Sequence, residues 1–185
     1  SCYGGSNGSA TVSIASGTAP FQIIWLPNGG SGLTANNLTA GNYSVTITDA
    51  NGCQTFTNTA ITQPPLLNPV ISNVNNVSCF GFSDGSLTAT VSGGAGSYTY
   101  SWSPTGGNGS VTTLLPVGTY TLTVTDQNGC VATTSGTITQ PPVLTMSIVS
   151  TTNPLCFGGT NGGAEVVAGG GTPALRKLAS IQLQR

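Results

Sequence analysis

Residues 46–53 read TITDANGC and residues 123–130 read TVTDQNGC. In both, a run of β-forming residues meets Asp-x-Asn-Gly and resumes after a cysteine, and Asn-Gly is expected to supply the positive φ angles of a tight hairpin. The run before each turn alternates. Tyr43, Val45 and Ile47 oppose Ser44, Thr46 and Thr48, while Tyr120, Leu122 and Val124 oppose Thr121, Thr123 and Thr125. Period two over this length marks half-buried antiparallel strands, with one face packed and the other a row of hydroxyls.

The offset between the two octamers also carries Cys2 to Cys79 and Cys79 to Cys156, Trp25 to Trp102, Tyr43 to Tyr120 and Pro64 to Pro141, so the chain has a single period of 77. Agreement at so many fixed offsets means tandem modules. Residues 1–65 form a first repeat, 66–142 a second and 143–174 the opening of a third. The heads read CYGGSNGS, CFGFSDGS and CFGGTNGG, and the closing segments AITQPPLL and TITQPPVL serve as stiff, extended connectors. The third copy lacks the aromatic strand, hairpin and second cysteine of the others. It runs into LRKLASIQLQR at 175–185, which holds all three basic residues of the chain and reads as a scar or fragment boundary rather than a native element.

Earlier in each copy, Ala10, Val12 and Ile14, then Leu87, Ala89 and Val91, form further alternating runs. FQIIW and YTYSW place Phe21, Ile23 and Trp25, or Tyr98, Tyr100 and Trp102, on one face of a strand. Such a stripe could stack sugars, but a module this small needs its large rings inside, so Trp25 and Trp102 are expected in the core. LTAGNY and LPVGTY set Tyr43 and Tyr120 as in the tyrosine corner of immunoglobulin-like sandwiches. The expected fold is all-β: small immunoglobulin-like antiparallel β-sandwiches in tandem, one to each period.

Composition narrows the function. Charged residues make up only 4% of the chain, and Arg176, Lys177 and Arg185 are its only bases, so nucleic acid and anionic membrane partners are not expected. No run approaches the length of a membrane span. With no His, one Glu and three Asp, the chain lacks the neighbours that acid-base chemistry or an activated nucleophile requires. No enzyme and no cofactor is expected. A protease-resistant module strung in series, with neighbouring repeats as its partners, fits the inventory. The alternatives are a lectin-like module that binds surface polysaccharide through exposed aromatics, or one that binds ice or a polymer through its Thr rows.

Each complete copy carries two cysteines, and a disulfide is the expected reinforcement of an exported module with a small core. Pairing within a copy, Cys2 with Cys53 and Cys79 with Cys130, is the expected arrangement, and a bond from Cys2 to Cys130 across the seam is its rival. Cys156 is left without its in-copy partner. Without His or a close cysteine pair, zinc is a poor reading. Asp49 and Asp126 resemble half of an oxygen-rich calcium loop, although no second carboxylate lies nearby in sequence.

Taken together, C-x-G-x-x-x-G at the head, an aromatic strand ending in Trp, L-x-x-G-x-Y, T-D-x-N-G-C and T-Q-P-P resemble the SprB repeat of bacterial gliding-motility adhesins, from Ser1 to about Ala174. The resemblance implies very large extracellular proteins on the surface of Bacteroidetes-type bacteria, exported by the type IX system, in which many modules form an adhesive filament. It implies no particular ligand-binding residues.

Overall fold

A computed structural model describes residues 1–172, so the foreign ending at 175–185 lies outside the described residues. The described chain consists of strands without helices. Copy one contains β1 (Gly8–Thr11), β2 (Gln22–Leu26), β3 (Thr34–Leu38), β4 (Gly41–Thr48) and β5 (Gln54–Ile61). Copy two contains β6 (Asn68–Asn75), β7 (Gly85–Ser92), β8 (Tyr98–Ser103), β9 (Val111–Leu115), β10 (Gly118–Asp126) and β11 (Val131–Ile138), and β12 (Thr145–Thr152) and β13 (Gly163–Gly169) follow.

Sheet order repeats with the sequence. β1 pairs with β3 and β2-β4-β5 form a second sheet; one period on, the orders are β6-β7-β9 and β8-β10-β11, and β12 pairs with β13. The pairs β1–β3, β2–β4, β4–β5, β7–β9 and β12–β13 are antiparallel, and register is copied as well. Gly8↔Leu38, Ala10↔Ala35 and Thr11↔Thr34 become Gly85↔Leu115, Leu87↔Thr112 and Thr88↔Val111, with the irregularity at the same place. By compactness, residues 1–69, 91–100 and 123–133 form one unit, and the described remainder forms another.

Burial follows the alternation. In copy one, Ile23 and Trp25 of β2, Ala35 and Leu38 of β3, and Tyr43, Val45 and Ile47 of β4 make one buried cluster, with Ala10 of β1 half-buried against it. Two sheets therefore share one core, as in a sandwich. Trp102, Leu115, Tyr120, Leu122 and Val124 are the buried counterparts in copy two. Burying each Trp contributes up to about 5 kcal/mol of apolar driving force.

The rings also keep their polar ends satisfied. Trp25 Nε1 donates to Gly32 O at 2.9 Å and Trp102 Nε1 to Gly109 O at 2.9 Å. The Tyr43 hydroxyl donates to Thr39 O at 3.1 Å and that of Tyr120 to Pro116 O at 3.0 Å, so each phenol closes the corner that leads into its own strand. Thr121 is exposed and Thr123 and Thr125 are half-buried, on the face opposite these rings.

The bulge in β3 and β9 puts Asn37 and Leu114, one period apart, at φ of 56° and 57°. Asn tolerates the left-handed region, whereas Leu there is strained. Leu114 is also 76% exposed, so its side chain contributes little packing. Leu114→Asn is expected to raise stability by about 1 kcal/mol, measured as the urea unfolding midpoint of the full chain; an unchanged or lower midpoint would count against strain at this bulge.

Candidate functional site

The hairpin that follows β4 is built around a carboxylate. Asp49 Oδ1 accepts the N–H groups of Asn51 and Cys53, each at 2.9 Å, and Gly52 N donates to Asp49 O at 3.0 Å. One period on, Asp126 Oδ1 accepts from Asn128 and Cys130 at 2.9 Å, and Gly129 N donates to Asp126 O at 3.0 Å. The loop differs from the expected Asn-Gly turn. Only Gly52 and Gly129 take positive φ, at 83° and 79°, so each hairpin is a three-residue loop with the glycine in its left-handed position.

The second carboxylate oxygen is also committed. Asp49 Oδ2 accepts from Thr18 N at 3.3 Å, and Asp126 Oδ2 from Ala95 N at 2.9 Å. These residues are therefore loop caps, with both oxygens accepting from backbone donors. The Cys53 N–H lowers the Asp49 pKa, burial opposes it, and the Thr18 and Asn51 N–H groups lower it further; the result lies below the ordinary carboxylate value. At Asp126 burial pushes upward, but donors from Cys130, Ala95 and Asn128, with the terminal ammonium of the chain, outweigh it and leave the pKa lowered.

The cysteines correct the expected pairing. The disulfide joins Cys2 to Cys130, with Cα atoms 5.5 Å apart, while Cys53 and Cys79 are free and exposed; Cys156 is likewise free. Pairing inside a copy fails on distance. Cys2 belongs to the head turn, which is fastened to the end of β5 where Ile61 faces Gly41, because Gln63 Oε1 accepts Gly4 N at 2.7 Å. Cys53 follows the other end of β4, eight residues away, or about 26 Å of strand. A disulfide tolerates a Cα separation of only about 4.4–6.8 Å.

Around this bond the head of copy one, the Gln-Pro-Pro connector and the hairpin of copy two come together. Tyr3, Pro65, Leu67, Gly94, Asp126 and Val131 line a cavity of about 400 Å³ beside the disulfide. Gly94 N donates to Pro65 O at 2.9 Å, and a Cβ on Gly93, at φ 72°, would run into Leu66 O. The glycines thus let the copy-two turn lie against the connector. In the chain-entropy model a disulfide that closes a 128-residue separation stabilises by about 5 kcal/mol. The Gln63 clasp is repeated as Gln140 Oε1 with Gly81 N at 3.1 Å; in the sequence these glutamines read only as connector residues.

A second missed feature is an outward apolar row on β2-β4-β5. Ile24 faces Thr46, which faces Phe56, and Leu26 lies beside them; the three apolar side chains are exposed. Copy two has Ser101, Ser103 and Thr133 at those positions, so subtracting one copy from the other was the signal that could have found the row.

Because a depressed carboxylate pKa stabilises above the unfolded value and loses that contribution as pH falls through the folded one, stability is expected to drop below about pH 4. Asp126→Asn keeps one accepting oxygen but turns an amide donor toward Ala95 N. It is expected to lower the melting temperature at pH 7 more than Asp49→Asn, whose corresponding bond is longer and exposed, and to flatten the acid limb of a thermal melt series. Equal melting temperatures for the two variants would refute this role of the second oxygen.

The family model described as SprB repeat matches residues 1–30 and 71–107. Both matches end at equivalent glycines, Gly30 and Gly107, and contain the head and the aromatic strand, whereas the hairpin and connector lie outside them. No curated protein matches the chain. Among solved structures, an amphioxus IgVJ-C2 molecule matches at 15% identity over 74% of this chain and 98% of that one, with a TM-score of 0.33. Residues 1–30 and 71–107 are therefore SprB-type repeat sequence.

Proposed function

We propose that this chain is a non-catalytic repeat segment of a large secreted cell-surface adhesin, acting as stalk and attachment surface in cell adhesion or gliding motility. The observation that carries this reading is the covalent tie between successive copies: Cys2 of one repeat is bonded to Cys130 of the next, beside a connector held by Gln63 and Gly94. Such a junction suits a load-bearing series. Extracellular placement and type IX export accord with the disulfide and with the family.

Attachment is assigned to the outward apolar row. Ile24, Leu26 and Phe56 are 45%, 54% and 72% exposed and stand on a rigid sheet rather than a loop, so they offer a contact surface at little ordering cost. Stacking of sugars on the two Trp residues is disfavoured, because Trp25 and Trp102 are only 4% and 6% exposed and their N–H groups are already bonded.

Beads coated with the full chain are expected to adhere to glass and polystyrene. A variant with Ile24→Ser, Leu26→Ser and Phe56→Thr should lose adhesion at least about tenfold while its melting curve is retained, a drop that corresponds to about 1.4 kcal/mol of contact energy per site. Adhesion that survives this variant, or saturable glycan binding in its place, would overturn the assignment.

A further inference from the structure

The cavity at the Cys2–Cys130 bond has two halves, and each half recurs elsewhere in the chain. The head half recurs one period later. Cys79, Phe80, Pro142, Val143, Leu144 and Gly171 line a cavity of about 480 Å³, and they are the one-period equivalents of Cys2, Tyr3, Pro65, Leu66, Leu67 and Gly94. Bonding recurs with it. Phe82 N donates to Cys79 O at 3.2 Å as Gly5 N does to Cys2 O at 3.0 Å, and Gly171 N donates to Pro142 O at 3.0 Å. A Cβ on Gly170 would run into Val143 O, as one on Gly93 would into Leu66 O.

The hairpin half recurs one period earlier. Gly17, Asp49, Cys53, Gln54 and Thr55 line a cavity of about 400 Å³ and correspond in order to Gly94, Asp126, Cys130, Val131 and Ala132. The Asp49 cap holds Cys53 N as the Asp126 cap holds Cys130 N. Two of the three free thiols, Cys79 and Cys53, therefore sit in surroundings already shaped like their bonded counterparts, and each is exposed.

We propose that the disulfides form a register-shifted ladder, in which the head cysteine of each repeat bonds the hairpin cysteine of the following repeat. The groove at Cys79 takes the D-x-N-G-C hairpin of an adjoining repeat, and Cys53 takes the head cysteine of another. The occupant is set by the established junction, where the same groove chemistry holds Asp126 to Cys130. Formation is ordinary thiol–disulfide exchange. One cysteine thiolate attacks a small disulfide such as oxidised glutathione and releases one glutathione thiolate; the second cysteine then displaces the other. Two thiols lose two protons and two electrons, and the glutathione disulfide gains them.

The ladder changes how a series of repeats carries tension. Force entering at Cys2 crosses to Cys130, follows only the chain from 131 to 155, and crosses again at Cys156, so the residues between Cys2 and Cys130 are bypassed. Unfolding of a bypassed strand then adds no length to the loaded path. Covalent joining is separate from the attachment surface, and either can fail while the other stands.

The test inserts one further copy of residues 66–142 directly after Pro142 of the full chain and counts thiols by alkylation and intact mass after refolding with oxidised and reduced glutathione. The chain as it stands has five cysteines with one bond, and the insert adds two cysteines. The ladder gives two disulfides, and Cys79→Ser in the original second copy reduces them to one. If pairing is within the inserted copy, that substitution leaves two; if no pairing occurs, the lengthened chain shows one. Either result overturns the proposal. Circular dichroism on both proteins separates loss of a bond from loss of fold, and a lengthened chain that folds with Cys79 still open to alkylation is equally decisive against it.

Discussion

A whole strand stands between the two cysteines of each copy. β4 is eight residues long and β10 nine, so a hairpin cysteine and the head cysteine of the same copy lie at opposite ends of the sandwich, several disulfide lengths apart. Reinforcement of the small core by a cross-link therefore has to come from outside the copy. The end of one module that carries the head meets the end of the next that carries the hairpin, and Cys2 reaches Cys130 there. A copy of this size buries too little surface to be comfortably stable alone, and the bond makes its stability depend on its neighbour's.

A surface with so few charges also constrains how loops are fixed. The described residues include no Lys or Arg to form side-chain salt bridges, and the polar ends of buried or half-buried side chains take their place. Each Trp N–H holds a loop carbonyl, each corner Tyr a carbonyl four residues back, each hairpin Asp three backbone N–H groups, and each connector Gln a head-turn N–H. These bonds are directional and short-range, and they join loop backbone to a side chain of the same copy. Turn geometry is consequently set within the copy, by residues whose positions repeat, and the hydroxyl pairs Thr11 with Thr34 and Thr119 with Thr137 add cross-strand contacts on the outer faces.

The fold was legible because its determinants are local and periodic. Alternation marked β4 and β10, L-x-x-G-x-Y marked the tyrosine corners, and the constant offset between equivalent residues tied the copies together before any contact was known. The junction was less legible. Whether Cys2 lies near Cys53 or near Cys130 depends on which end of β4 the head turn reaches, and that end is marked by the long-range bond from Gly4 to Gln63, which alternation along a strand does not encode. The hairpin was recognised while its mechanism was misplaced: the turn rests on the Asp carboxylate and one glycine, since an Asp two residues before Asn can cap a type I turn and leave Asn in an ordinary conformation. The apolar row at Ile24, Leu26 and Phe56 escaped a reading directed at the inward stripe of the same strand.

The pattern of difference between copies divides the molecule into two kinds of position. Several core and joint positions repeat in kind, Trp with Trp, Tyr with Tyr, capping Asp with capping Asp, and glycine wherever a Cβ would strike the connector, although Ala35 becomes Thr112 and Gln54 becomes Val131. Outward positions on the three-stranded sheets do not, as Ile24, Leu26 and Phe56 against Ser101, Ser103 and Thr133 show. This separation follows from where substitution is expensive. A changed joint residue disturbs two copies at once, and a changed core ring opens a cavity that costs several kcal/mol, about 3–5 for a large aromatic. An exchange on the wetted face of a strand usually alters stability by less than about 0.5 kcal/mol. A series of such repeats can therefore vary the chemistry it presents from one copy to the next while the geometry of its joints stays constant.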